Sequence, residues 1–154
     1  MAVKGEILFK SSEFGDLEGP RENKSSLIYE FSHEVYLPHE SEENRIQGMR
    51  RIGPFEIVKS IDRLTPQLYN ILAVGLLSEI HIKLYRIAEK FGEEEAYFNY
   101  ILEEARIISI QNWMPPTYIP ASESIGHLEK IKLISRKITW EYIPDGIIYT
   151  ETAF

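Results

Sequence analysis

Residues 63–76, RLTPQLYNILAVGL, read as one short amphipathic helix in a chain whose other apolar residues alternate as they do in β-strands. Thr65 offers a hydroxyl to cap it, Pro66 takes the first helical position where no amide bond is lost, and Gly75 lies near its end. Leu68, Leu72 and Leu76 form the apolar stripe, with Ile71 beside it. A helix of about three turns is marginal alone in water, so this stripe has to pack onto a sheet.

Working outward, FEIVKSI (residues 55–61) reads as a strand with Phe55, Ile57 and Ile61 on one face and Lys59 interrupting it. Upstream, SLIYEFSHEVYLP (26–38) places Leu27, Tyr29, Phe31, Val35 and Leu37 on one side and Glu30, Ser32 and Glu34 on the other. Between these strands, HESEENRIQGMRRIGP (39–54) is polar, broken by Gly48, Gly53 and Pro54, and has no sustained period. It reads as a loop longer than compact domains ordinarily use, and such a loop has something to bind.

Downstream, EIHIKLYRI (79–87) puts Ile80, Ile82 and Leu84 inside, with Glu79, His81 and Lys83 outside. KFGEEE turns the chain into AYFNYILEEARIISIQNW (96–113), one long or two consecutive strands of a hairpin whose tip carries Glu93, Glu94 and Glu95. NWMPPTYIPASESIG (112–126), with three prolines, is a second sizeable loop. HLEKIKLISRKITWEYI (127–143) changes phase: Ile131 and Leu133 share one face, while Ile134, Ile138, Trp140 and Tyr142 take the other. Either a β-bulge near Leu133 and Ile134 or an outer face that meets another subunit accounts for this. PDGIIYTE (144–151) closes with a hairpin turning at Asp145 and Gly146. Seven to nine strands and one helix define a mainly β chain, a sandwich or a barrel.

The 154 residues suit one domain, 1–154, with a single core. A formal charge of −7 offers no positive field for a phosphate backbone, so nucleic acid is not an expected partner. With no cysteine, neither disulfides nor thiolate zinc sites are available. The N-terminus lacks the apolar core of a secretory signal and no stretch reaches the roughly 20 apolar residues of a membrane span, so cytoplasmic synthesis and no membrane insertion are expected.

Reactive constellations are weak. His33 and His39, with Glu34 and Glu40, lie six apart across a strand and a proline, unlike the one-turn spacing of helical zinc motifs. His81 and His127 stand elsewhere, and no serine sits in a nucleophile elbow. Glutamates in runs at turns are solvated, the opposite of the apolar pockets that separate acid and base pKa values. Glu103 and Glu104 lie inside a strand, where a cross-strand or interface ion pair is the expected role. No phosphate loop occurs, and Lys90 belongs to a turn. The nine tyrosines fit a protein interface better than a ligand cavity.

Four stretches carry a resemblance. They are FSHEVYLP with its following loop; GMRRIGPFEIVKSIDRLTPQLYNILAVG; IHIKLYR with EARIISI; and EKIKLISRKITWEY. In order and spacing they resemble the Hcp family, the tube protein of type VI secretion systems, related in fold to phage tail-tube proteins. Gly48, Arg50, Pro54, Phe55, Lys59, Asp62, Pro66, Leu68, Gly75, Ile138 and Trp140 fall at its pattern positions; Ile52 departs, since many members carry histidine there. The resemblance implies two packed β-sheets forming a barrel with one flanking helix at about 65–76, six copies closing into a ring, and rings stacking into a tube. It implies a structural, non-enzymatic component without metal or cofactor, expelled by a contractile sheath. Its partners would be itself, sheath proteins, the spike protein VgrG and secreted effectors. It would be made in the bacterial cytoplasm and secreted without a cleaved signal peptide. The 38–52 loop would reach a neighbouring subunit or ring, with contact at His39, Arg45, Met49, Arg50, Arg51, Pro54 and Phe55. The chain ends just after its last hairpin, so no appended toxin domain is expected. A phage-like tail-tube protein and a monomeric ligand-binding β-barrel are the alternative readings; a hydrolase using unmarked carboxylates ranks last.

Overall fold

The computed structural model describes residues 4–11, 15–75, 78–88 and 92–153. In chain order its elements are β1 (Gly5–Ser11), β2 (Gly15–Asp16), β3 (Ser26–Ser32), β4 (Val35–Tyr36), β5 (His39–Glu40), β6 (Arg45–Ile46), β7 (Arg51–Ile52), β8 (Phe55–Ser60), α1 (Thr65–Val74), β9 (Ser78–Ile87), β10 (Glu94–Trp113), β11 (Leu128–Tyr142) and β12 (Ile147–Thr152). Six strands run β10-β9-β1-β3-β8-β11, and β11 returns to β10 along nearly its whole length, so the sheet closes into a barrel. β12 lies outside this closure and, among the described residues, pairs only with the second half of β11.

The barrel is filled by Ile7, Phe9, Ile28, Phe55, Ile57, Ile80, Ile82, Leu102, Ile131, Leu133 and Ile138, all buried. α1 lies against β10 and contributes Leu68 and Ile71 to the same core, joined by Leu64 just before the helix. Leu72 is half-buried; Leu76, expected to complete the stripe, lies outside the described residues. The helix entry differs from the expected Thr65 cap. Leu64 is the flanking residue and Asp62 organises the turn, its Oδ1 accepting from the Leu64 amide at 2.9 Å. The Thr65 hydroxyl instead accepts from the Asp62 amide (3.1 Å) and donates to Glu129 (3.0 Å). At the other end Gly75 adopts φ 70° and bonds back to the Ile71 carbonyl, as its position predicts. A Cβ there would overlap the Arg106 guanidinium, which lies over the helix terminus.

Alternation fails in three places, each with a local cause. In β3 the alternation places Leu27 and Tyr29 inside, but Ile28 is buried and Tyr29 is 58 % exposed. The register against β8 slips between Ile28 and Glu30, so Tyr29 bulges out and both Ile28 and Phe31 face inward. In β8, Lys59 does not interrupt the apolar face but occupies it at 0 % exposure, while Ile61 lies beyond the strand and is exposed. The β10–β11 register does shift beside Leu133, as expected, but the extra residue is Ile108 of β10, between the Ile107–Leu133 and Ser109–Lys132 pairs. The phase changes between Ser135 and Ile138, both buried, opposite Glu103 and Glu104, where Glu104 takes φ 53° and β10 changes phase as well. Ile134 therefore stays on the outer face, apart from Ile138. The two glutamates pair across this kink with Lys137 (3.2 Å) and Arg136 (3.3 Å), as the sequence suggests.

Lys59 is neutralised by side chains from around the barrel. Its Nζ contacts Glu129 of β11, lies 3.0 Å from Asp62 and donates to the Ser60 carbonyl at 3.2 Å. Glu129 also accepts from Asn112 of β10 (3.2 Å) and from Thr65, and Asp62 accepts from Ser26 of β3 (2.8 Å). Glu6, inside the first apolar run, is likewise buried, and it receives bonds from Tyr85, Asn23 and Ser25 and pairs with Arg21 at 2.6 Å. Burial alone would raise its pKa; these donors outweigh it and hold the carboxyl below the usual range. Burial, reinforced by that carboxylate, pushes the Tyr85 phenol up to about 12.

The Gly75→Ala variant loses roughly 1–2 kcal/mol from left-handed backbone strain, with a further loss from displacing Arg106. Urea unfolding checks this; an unchanged midpoint would contradict the helix terminus described.

Candidate functional site

Residues 35–52, read from sequence as the end of a strand up to residue 38 followed by a loop from 39, form a jointed two-stranded arm. Its base pairs Val35 with Ile52 and Tyr36 with Arg51; its tip pairs His39 with Ile46 and Glu40 with Arg45. Asn44 turns the tip at φ 53°, a conformation asparagine tolerates. Between base and tip the ladder lapses: only the Gln47 amide bonds across, to the Pro38 carbonyl at 2.6 Å, and Gly48 beside it has φ 115°. Each ladder holds two residue pairs, too few for alternation to show in the sequence.

Aromatic packing fixes the root of the arm. The His33 ring stacks on Phe55 with centroids 3.6 Å apart and planes 3° from parallel, and its Nε2 meets the Gly53 carbonyl at 3.1 Å. The Gly53 amide donates to Glu34 at 2.8 Å. Trp140 lies 6.4 Å from His33 and stacks on Tyr149 at 5.7 Å, so an aromatic chain runs from the arm root to β12. Half-buried, His33 has its pKa lowered from 6.5 by desolvation, against the opposing pull of the Gly53 carbonyl.

The sequence-derived contact residues distribute unevenly over this arm. His39, Arg45, Met49, Arg51 and Pro54 are exposed, Met49 at 78 %. Arg45 pairs within the tip with Glu43 at 3.2 Å. Arg50 turns back to form an ion pair with Glu151 of β12. Phe55 is corrected: at 0 % exposure, packed on His33, Phe31 and Tyr100, it anchors the arm from within the core and presents no surface to a partner.

Sequence reasoning left out a second surface. β12 ends the sheet with one edge unpaired among the described residues, and Ile147, Ile148 and Tyr149 are 63, 58 and 60 % exposed. The signal was present in the unbroken run IIY, apolar on both faces of a short strand, which suits an edge that meets another surface. The four histidines do not converge: His33 lies at the arm root, His39 in the tip, His81 beside Glu79, and His127 before β11. Among the described residues no group of three or more metal-ligating side chains comes together. Two surface features stand out: an arm and an open, apolar sheet edge.

The fold is a closed six-stranded barrel with one flanking helix and an arm. The sequence pattern of the family described as "Type VI secretion system effector, Hcp" matches residues 3–142, and the chain belongs to that family. It is a type VI secretion protein rather than an enzyme. It is 31 % identical over 121 residues to the "Major exported protein" of Pseudomonas aeruginosa, covering 78 % of this chain and 70 % of that one. Among solved structures, the Hcp1 protein of the Escherichia coli EAEC 042 pathovar superposes with a TM-score of 0.85 at 26 % identity, covering 99 % of this chain and 100 % of that one. A protein described as Hcp superposes at 0.90 with 23 % identity, covering 99 % of each chain. The secreted protein Hcp3 of Pseudomonas aeruginosa superposes at 0.78 with 22 % identity, covering 98 % of each chain.

Because folding lowers the His33 pKa, the unfolded chain takes up the proton more readily. The stability His33 contributes is therefore complete above pH 6.5 and declines as pH falls below it. His33→Gln flattens that decline, and an NMR titration places the native His33 midpoint below 6.5. A midpoint at or above 6.5 would contradict the stacked, half-buried ring.

Proposed function

We propose that the chain, acting as one tube domain over residues 1–154, is the structural tube subunit of a type VI secretion system. Six copies close into a ring, rings stack into the inner tube, and a contractile sheath drives the tube outward behind the spike protein VgrG. The tube carries effectors in its lumen or at its tip. The subunit is made in the bacterial cytoplasm and is itself exported without a cleaved signal peptide. The observation that carries this reading is the edge of β12, unpaired among the described residues and lined by exposed Ile147, Ile148 and Tyr149 on a closed barrel.

An unpaired edge that meets a different surface of the next copy makes a heterologous contact, and heterologous contacts close into rings when the rotation permits. Extending from the barrel, the arm reaches beyond the subunit's own core. Ring stacking then needs no strong single contact, since several modest contacts acting in parallel multiply their affinities. The arm residues His39, Arg45, Met49, Arg51 and Pro54 belong to that contact set in this reading. Arginines among them face acidic groups of a neighbour, consistent with an acidic chain of charge −7.

Sedimentation velocity and negative-stain microscopy of the full chain test the proposal: closed rings appear, and stacks of rings at high concentration. Ile148→Lys, placed on the exposed face of β12, leaves the fold intact and abolishes the rings. A monomer at every concentration, or rings indifferent to Ile148→Lys, would contradict the proposal.

A further inference from the structure

Glu151 stands opposite Ile138 in the β11–β12 ladder, so it shares the face on which Ile138 is fully buried. Yet β12 lies outside the six closing strands, and what reaches that face of it is the arm. The Glu151 side chain is only 10 % exposed, and a carboxylate stripped of that much water requires a counter-charge. The arm supplies it. Arg50 Nε pairs with Glu151 Oε1, and Arg50 Nη2 reaches the Thr152 carbonyl at 3.4 Å. From β12 itself the Tyr149 hydroxyl adds a long bond to Glu151 at 3.4 Å.

Around this pair the arm stands off from the sheet. A cleft of about 700 Å³ separates residues 49–53 from Ile134, Ser135, Thr152 and Ala153. Arg50 is the charged link across it among the described residues. Two residues away, Gly48 at φ 115° sits in the gap between the two ladders of the arm. The root is rigid through His33 and Phe55, the tip is held by its own ladder, and the joint between them has one backbone bond across it. The direction of the tip therefore depends on where residue 50 is held.

We propose that Arg50 and Glu151 form an electrostatic latch that sets the aim of the 35–52 arm within the isolated subunit. Resting on the tube-subunit reading, the second half of the proposal is that the latched arm is the form a second copy of this chain accepts at ring stacking. A preset arm docks without spending the ordering entropy that a swinging one loses at the moment of contact. Arg50 and Glu151 are thus positioning residues. Because Arg50 is 37 % exposed, the latch weakens as salt rises.

Hydrogen exchange read by mass spectrometry on the full chain tests the latch, comparing wild type, Arg50→Gln and Glu151→Gln. Both variants exchange peptides covering residues 39–49 about tenfold faster, while peptides of β8 and β10 are unchanged, which also verifies that the barrel has folded. Raising salt speeds arm exchange in the wild type and has no further effect in Glu151→Gln; a merely structural contact would not show this. Arm exchange equal to wild type in Glu151→Gln, or a salt response that survives that substitution, overturns the latch. Sedimentation of the same proteins reads the second half: the variants form single rings but stack about tenfold more weakly, and undiminished stacking overturns that half. Should wild type form no rings at all, the tube reading fails by itself, and the exchange comparison alone judges the latch.

Discussion

A lysine inside the barrel is the constraint on which the rest of the structure depends. Lys59 is fully buried and held by Glu129 and Asp62, and through their bonds to Asn112, Thr65 and Ser26 it connects β8, β11, β10, β3 and the entry to α1. Neither carboxylate is left with the lysine as its sole partner: Asp62 also receives the Leu64 amide at the start of the helix. The network fixes where the helix begins on the barrel wall. The leucine stripe can then only seal the side of β10, because Leu64, Leu68 and Ile71 follow from that starting point. A hydrophobic core alone would tolerate a rotated helix; a satisfied buried ion cluster does not.

The barrel and the open edge of the sheet meet in β11. Its first half pairs with β8 and completes the barrel wall; its second half pairs with β12 and extends the sheet outside. Between the two, the kink at Glu103–Glu104 and Arg136–Lys137 switches which side chains face inward, so buried residues continue through Ile138. One long strand pair thereby serves both as core wall and as the platform for an open edge. The arm grows from the neighbouring corner, since Phe55 pairs with Leu133 just before that switch. Arm and open edge are thus neighbours on one frame.

Much of this was legible in the sequence. The helix and its glycine terminus, the clean alternation of β9, the β9–β10 hairpin and the last turn at Asp145–Gly146 all follow from periodicity and turn chemistry. What the sequence concealed was decided by contacts distant along the chain. Tyr29 bulges because β3 slips against β8, and Ile134 parts from Ile138 because β10 kinks opposite them. Lys59 looked like an interruption of the apolar face because its partners stand 3 and 70 positions away. The arm passed for a loop because ladders of two pairs leave no period. Phe55, at the edge of a polar stretch, looked available to a partner until the fold enclosed it under His33.

The most direct test of this dependence is the unfolding free energy of Lys59→Met, which keeps the length of the side chain and removes its charge. Chemical denaturation followed by circular dichroism is predicted to show a loss of about 3–5 kcal/mol, because Glu129 and Asp62 are left as uncompensated buried carboxylates. Adding Glu129→Gln to that variant recovers part of the loss. A Lys59→Met protein within about 0.5 kcal/mol of wild type would show that apolar packing alone holds the barrel and would contradict the central role given to the buried cluster.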